Sequence, residues 1–161
     1  MIITIRKIST ILCLLSIVGC SQDEAAESEI IDNAGTIERL DLRLDALIPL
    51  DANVQKLASG FTFTEGPVWD KRSDVLYFSD VRDNTIYSWS EDEGVNVFIQ
   101  PVFAEETDHP SVGSNGLTLD REGRLILMEH GYRRVSRLEA NGERTTLVDN
   151  YRGNRLNSPN D

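Results

Sequence analysis

The sequence predicts an all-β protein built from β-propeller blades, and three observations carry that prediction. From Val54 onward, short β-rich runs alternate with turn signals. No amphipathic helix of useful length interrupts them. The group of four predicted strands occurs twice with shared turn positions, and a repeat of roughly 40–50 residues with four strands is the signature of a propeller blade.

The chain opens with a targeting segment. Arg6 and Lys7 form a positive start, and an apolar run from Ile8 to Val18 follows. Its length suits the core of a signal peptide and is too short to span a bilayer. The run ends in Ile17-Val18-Gly19-Cys20, a lipobox-like sequence, so residues 1–19 read as a lipoprotein signal peptide and Cys20 as the lipidated residue. Cys13 and Cys20 are the two cysteines, so the processed chain would keep neither a free thiol nor a disulfide. Ser21 after the cysteine points to a periplasm-facing outer-membrane lipoprotein, held by several acyl chains because one binds only marginally.

Residues 20–53 read as a lipid-anchored acidic linker. Ser21 to Glu29 is polar and acidic and offers little to bury. Between Thr36 and Leu50, Leu40, Leu42 and Leu44 are spaced by two as in a strand, with Leu47 three further on, while the interleaved charges favour a helix; both readings stay open. The formal net charge is −11, and loss of Arg6 and Lys7 with the leader makes the remainder two units more negative. Such a surface repels nucleic acid and anionic headgroups, and no basic run with interleaved aromatics offsets it, which excludes nucleic-acid binding.

Residues 54–161 hold the repeat. The first set of strands is predicted at Gly66–Trp69, Val75–Ser79, Thr85–Trp89 and Val95–Ile99, and the second at Leu117–Leu119, Leu125–Met128, Arg134–Leu138 and Thr145–Val148. Glu65-Gly66 aligns with Asn115-Gly116, Asp70 with Asp120, and Val75-Leu76-Tyr77 with Leu125-Ile126-Leu127. Asn141-Gly142 is a hairpin signal in which both residues accept positive φ. Trp69, Trp89, Tyr77, Phe78 and Tyr87 are predicted to pack the blades. Two blades and the start of a third fall short of the four to eight that close a ring, so the expectation is the N-terminal part of a longer, truncated propeller.

Chemistry is expected where the inner strands begin, because these converge on one mouth of the channel. The residues there are Glu65, Asn115 and, in the opening third blade, Asn160. A ring of carboxylate and amide oxygens suits a hard cation such as Ca²⁺, which takes six to eight oxygen ligands. With no His-rich or Cys-rich cluster, structural zinc is not expected. Taken singly, each of these residues is also an ordinary turn residue. Glu129 and His130 follow the second strand of blade two. There His130 either lines the mouth, where it would bond a ligand hydroxyl, or packs behind the channel. The long 102–113 connection, with Glu105, Glu106, Asp108 and His109, is either a lid or an exposed acidic loop.

Phe63-Thr64-Glu65-Gly66-Pro67-Val68-Trp69 resembles the opening motif of the senescence marker protein, gluconolactonase and regucalcin family. Ser114-Asn115-Gly116-Leu117-Thr118-Leu119-Asp120, then Glu129-His130-Gly131 with Arg133-Arg134, resemble the second blade of its bacterial gluconolactonase branch. Arg155-Leu156-Asn157-Ser158-Pro159-Asn160-Asp161 resembles the segment that follows. The resemblance covers residues 54–161. It implies a six-bladed propeller with one divalent metal, usually Ca²⁺, and hydrolysis of a sugar lactone, with organophosphates or aryl esters as substrates of some relatives. Glu65 matches the family's metal-binding glutamate and Asn160 the asparagine of an Asn-Asp pair that lies at the metal or contacts substrate; both are taken as metal candidates, Asn115, Glu129 and His130 become candidate substrate contacts, and the general base is expected beyond Asp161. The competing expectations are a non-catalytic lipid-anchored propeller that binds a sugar or protein partner, and an inactive truncated product.

Overall fold

The computed structural model describes residues 31–104 and 113–161. The signal peptide, Cys20, Ser21–Glu29 and the lid candidates Glu105, Glu106, Asp108 and His109 lie outside the described residues.

Two four-stranded antiparallel meanders form the body. The first blade contains β3 (Thr64–Asp70), β4 (Val75–Asp80), β5 (Thr85–Ser90) and β6 (Gly94–Ile99) in that spatial order. The second contains β7 (Ser114–Leu119), β8 (Leu125–Glu129), β9 (Arg134–Leu138) and β10 (Arg144–Val148). All eight strands predicted from the repeat are present. Ahead of them, β1 (Ile31–Gly35) pairs with β2 (Val54–Lys56), so the region expected to be linker contains a strand and its end closes a small sheet. After them, β11 (Asn150–Tyr151) and β12 (Asn154–Arg155) make a short hairpin.

The open question over residues 36–50 resolves as neither a strand nor a full helix. Leu42–Ala46 is a single 3₁₀ turn, capped by Asp41, whose carboxylate accepts from the Arg43 backbone N–H at 2.8 Å. Leu40, Leu42, Leu47 and Leu50 all face solvent. Charged side chains organise the segment instead: Arg39 donates to Asp45 at 2.8 Å and to the Ile48 carbonyl at 3.1 Å.

The turns explain why the repeat is legible. Asp70 and Asp120 both cap the turn after an inner strand: Arg72 N–H reaches Asp70 at 3.0 Å, and Glu122 and Arg124 N–H reach Asp120 at 3.0 and 2.8 Å. A carboxylate placed two residues before an N–H is a local turn builder. Each of the three connections in each blade contains a left-handed residue. These are Asp74, Asn84 and Gly94 in blade one, and Gly123, Arg133 and Gly142 in blade two. The Asn141-Gly142 turn differs from expectation, since only Gly142 has positive φ. Gly142 N–H donates to Glu139 and Glu139 N–H to Glu143, which makes a type I turn followed by a left-handed glycine.

The core lies between the blades. Ile86, Val102, Phe103, Leu117, Leu125 and Leu127 are buried together, with Val68, Tyr77, Ile99 and Leu138 packed around them. Of the predicted packing aromatics, Phe78 stacks on Tyr87 at 5.5 Å and Tyr77 meets Phe98 at 4.8 Å, while Trp69 stands 43% exposed on the outer face of β3. Inner strand β7 runs against β3 and β4 of the preceding blade. Two buried polar devices tie this seam: Ser79 and Ser114 share a hydroxyl hydrogen bond of 2.8 Å, and Gly113 N–H donates to Val81 O at 3.1 Å.

Asp80, 1% exposed, is the largest polar investment in blade one. Its carboxylate accepts from the backbone N–H groups of Thr62 at 2.6 Å, Phe63 at 3.0 Å and Asp83 at 3.4 Å. It therefore holds the entry to β3 against the end of β4. Asp80→Ala is expected to cost about 3 kcal/mol, because it strands backbone donors that a charged acceptor now satisfies. A urea-unfolding midpoint shift at constant slope is the check.

Candidate functional site

The inner strands begin earlier than the sequence indicated, at Thr64 and Ser114, so Glu65 and Asn115 are strand residues rather than turn residues. A bulge lies near the start of the inner strand in each blade. Pairing of β3 with β4 shifts between Glu65 and Val68, and pairing of β7 with β8 shifts between Ser114 and Leu117. In blade one the bulge includes Gly66 at φ 56°, and such bulges re-aim side chains next to functional sites.

The glycine after each site residue lets the next inner strand approach. A β-carbon on Gly66 would collide with the Asn115 carbonyl oxygen and lie 2.7 Å from Leu117 N. One on Gly116 would collide with the Asn160 carbonyl oxygen and lie 2.9 Å from Asp161 Oδ1. Gly116 N–H also donates to Asn160 O at 2.6 Å. The Glu65-Gly66 and Asn115-Gly116 segments of the two inner strands and the Asn160-Asp161 segment thus follow one another, backbone against backbone at each glycine.

Within that row the three residues differ. Glu65 is half-buried. Asn115 is 4% exposed, and its Oδ1 is buried with no hydrogen-bond partner among the described residues. A buried amide oxygen of this kind costs free energy unless something donates to it or coordinates it. Asn160 is exposed, and its Nδ2 donates to Asp161 Oδ2 at 2.9 Å. The donor types present, one carboxylate and two amides, fit a hard cation that takes neutral and charged oxygens together. Among the described residues no three His, Cys, Asp or Glu side chains converge into a metal-holding group.

Glu129 is wholly buried at the end of β8, opposite Ser114. Its carboxylate is taken up by Ser136 Oγ and Arg134 Nε, while its backbone oxygen accepts from Arg133 N–H at 2.8 Å. The carboxylate expected to touch substrate therefore positions Arg134 and the β8–β9 loop. His130 is half-buried in that loop. Nearby, Arg144 lies with its guanidinium 4.5 Å from the Phe103 ring centre. Burial pulls Arg144 below its ordinary value, and the Glu129 charge pushes it back up. A separate cleft of about 560 Å³ lies between the blade flanks by the β7–β8 and β9–β10 turns, at the opposite end of the strands from Asn115.

The profile of the SMP-30/gluconolactonase/LRE-like region matches residues 63–161, the span that contains both blades and all three of these residues. The chain belongs to the SMP-30/gluconolactonase/LRE-like family. A gluconolactonase of Zymomonas mobilis is 34% identical over 134 residues, which are 79% of this chain and 37% of the relative. The solved gluconolactonase of Xanthomonas campestris, described as important in glucose secondary metabolic pathways, superposes with a TM-score of 0.68 at 30% identity, covering 86% of this chain and 43% of that one. Another solved structure, provisionally designated a gluconolactonase, gives a TM-score of 0.61 at 38% identity, covering 73% of this chain and 38% of the other. The chain spans about two fifths of the length of the SMP-30/gluconolactonase/LRE-like relatives it matches.

Sequence reasoning singled out Glu65, Asn115 and Asn160 through the repeat, and the structure brings their segments side by side. It missed Asp80, Asn84 and Arg133. Asn84 had a readable signal, an Asn closing a hairpin; its amide pairs with both the N–H and the C=O of Phe103, at 3.1 and 2.8 Å. Arg133, quoted only within a family motif, gave no backbone signal, since arginine carries no preference for the left-handed region.

Proposed function

We propose that this protein hydrolyses a sugar lactone with a divalent cation, Ca²⁺ or a similar ion, at the mouth formed by its inner strands. The observation that carries the reading is the buried, unpartnered Oδ1 of Asn115 between the Glu65-Gly66 and Asn160-Asp161 backbones, in a chain of this family. Glu65, Asn115 and Asn160 would hold the cation. When bound, it supplies Lewis-acid polarisation of the lactone carbonyl and a more acidic water. Glu65 contributes the negative charge of the set, and the two amides add neutral oxygens that leave net positive charge at the reacting carbonyl. His130 would bond a sugar hydroxyl. A carboxylate beyond Asp161 would accept the proton of the attacking water, opening the ring to an aldonic acid.

The test is glucono-δ-lactone hydrolysis by the full-length protein, with Ca²⁺ and with chelator. Hydrolysis that is lost on chelation and restored by Ca²⁺ is the expected result. Ca²⁺ binding without hydrolysis of any sugar or aryl lactone would replace the enzyme by a binding module.

On the same reading, the propeller stands at the periplasmic face of the envelope, anchored through acylated Cys20. Supporting it are the apolar run and Val18-Gly19-Cys20. Cys20→Ser should abolish incorporation of labelled fatty acid and release the protein from membranes; unchanged labelling would reject the anchor.

A further inference from the structure

A second polar pocket opens at the same end of the strands as Asn115. Ser114 pairs with Glu129, and Glu129 with Arg134, so the β8–β9 loop lies at that end. The β11–β12 hairpin returns there too, because Val148 pairs with Val135 and Leu156 N–H closes the hairpin onto Asp149 O at 3.0 Å. Between loop and hairpin is a pocket of about 450 Å³ lined by Arg133, Arg134, Arg155, Asn150 and Asp149, with Tyr132 as its aromatic wall.

Its charge is unusual for this chain. Three guanidinium groups face one carboxylate, in a protein of net charge −11. That carboxylate already accepts from Asn150 Nδ2 at 2.6 Å, and Arg134 is neutralised by Glu129. Arg133 and Arg155 have no ion-pair partner among the described residues, and Arg133 Nε is buried without a hydrogen-bond acceptor. A buried donor carrying charge is costly to leave unsatisfied.

The backbone adds an independent observation. Among the described residues, four non-glycine residues have positive φ: Asp74, Asn84, Arg133 and Arg152. Asp and Asn adopt that region readily, but arginine does not. Of the two arginines, Arg133 (φ 58°) lines this pocket at the place Asn84 takes in blade one, whereas Arg152 (φ 52°) sits in the hairpin turn over the Tyr151 ring and does not line it. Strain retained where Asn or Gly would relieve it marks positions whose side chains are needed.

We propose that this pocket recognises an oxyanion, a phosphate or carboxylate group, carried by the sugar ligand of the neighbouring mouth. The inference deepens the lactonase reading and rests on it for the ligand's sugar ring. Planar guanidinium groups pair with either oxyanion by bidentate hydrogen bonds. The substrate class is then an acidic sugar lactone rather than a neutral one. These arginines escape a composition-level reading because the chain as a whole is acidic and Arg155 meets Arg133-Arg134 only through the fold.

The test is calorimetric titration of the full-length protein with inorganic phosphate, gluconate 6-phosphate and gluconate. Titration is repeated for Arg133→Asn and Arg155→Ala, with thermal midpoints recorded alongside. Asn suits the left-handed backbone, so Arg133→Asn should melt no lower than the parent. Expected is binding of at least one phosphate or carboxylate probe, weakened roughly tenfold or more by each substitution and by added salt. Preference for gluconate 6-phosphate identifies phosphate as the group, and equal binding of gluconate identifies carboxylate. No binding at millimolar probe, or variants that bind like the parent, overturns the proposal. Neutral-lactone hydrolysis by the parent is measured in parallel. Hydrolysis without anion binding removes this inference alone, and anion binding without hydrolysis removes the lactonase alone.

Discussion

Replacing Gly66 by Ala should destabilise the full-length protein by about 3 kcal/mol or more, from two additive causes. An L-residue at φ 56° incurs about 1–2 kcal/mol of backbone strain. The added methyl also meets the Asn115 carbonyl and Leu117 N, which are backbone atoms that cannot rotate away, and overpacking of this kind costs about 1–3 kcal/mol. Gly142→Ala is the matched control. Gly142 has φ 83° but no atom within 4 Å of where a β-carbon would stand, so only the backbone cost of about 1–2 kcal/mol applies. Denaturant midpoints of the two variants separate the causes. A Gly66→Ala protein no less stable than Gly142→Ala would mean that the blades do not meet through this glycine.

Glu65→Gln should lower Ca²⁺ affinity and lactone turnover together, by at least about a hundredfold, while leaving the melting temperature of the metal-free protein near the parent's. The magnitude follows from comparison with outer partners of metal ligands, whose loss already costs about 10- to 100-fold. The substitution keeps shape and removes the only negative charge in the proposed oxygen set. Glu129→Gln has the opposite profile. Glu129 is wholly buried against Arg134 and Ser136, so neutralising it breaks a buried pair at a cost of about 3–5 kcal/mol, visible without any metal. Unchanged Ca²⁺ affinity in Glu65→Gln would remove Glu65 from the cation site, and a fall in stability without metal would make it structural.

The two carboxylates illustrate how far a sequence reaches here. Both stand near the mouth-side end of a strand, and both were candidates on position alone. Their roles diverge because β8 turns Glu129 toward β9, where Arg134 and Ser136 receive it, whereas Glu65 sits beside a bulge on the innermost strand. Side-chain direction at a bulge depends on the register on each side of it, and no local pattern encodes that. The leucines of residues 40–50 make the same point in reverse. Their spacing and charges left strand and helix open, yet local Arg39 and Asp41 bonds shape the segment and leave Leu40, Leu42, Leu47 and Leu50 outside.

What the sequence alone determined is the all-β class, the eight blade strands, the repeat that aligns Glu65 with Asn115, and the turn-capping aspartates Asp70 and Asp120. These are local: period-two patterning and short-range hydrogen bonds act within a few residues and leave their mark in residue order. Only the tertiary structure decided that Gly66 and Gly116 are contact points between inner strands, that Asn115 Oδ1 is buried without a partner, and that Arg133 and Arg155 share a pocket. Each depends on segments tens of residues apart meeting within a few ångströms, and burial and close approach are properties of the packed chain rather than of any stretch of it.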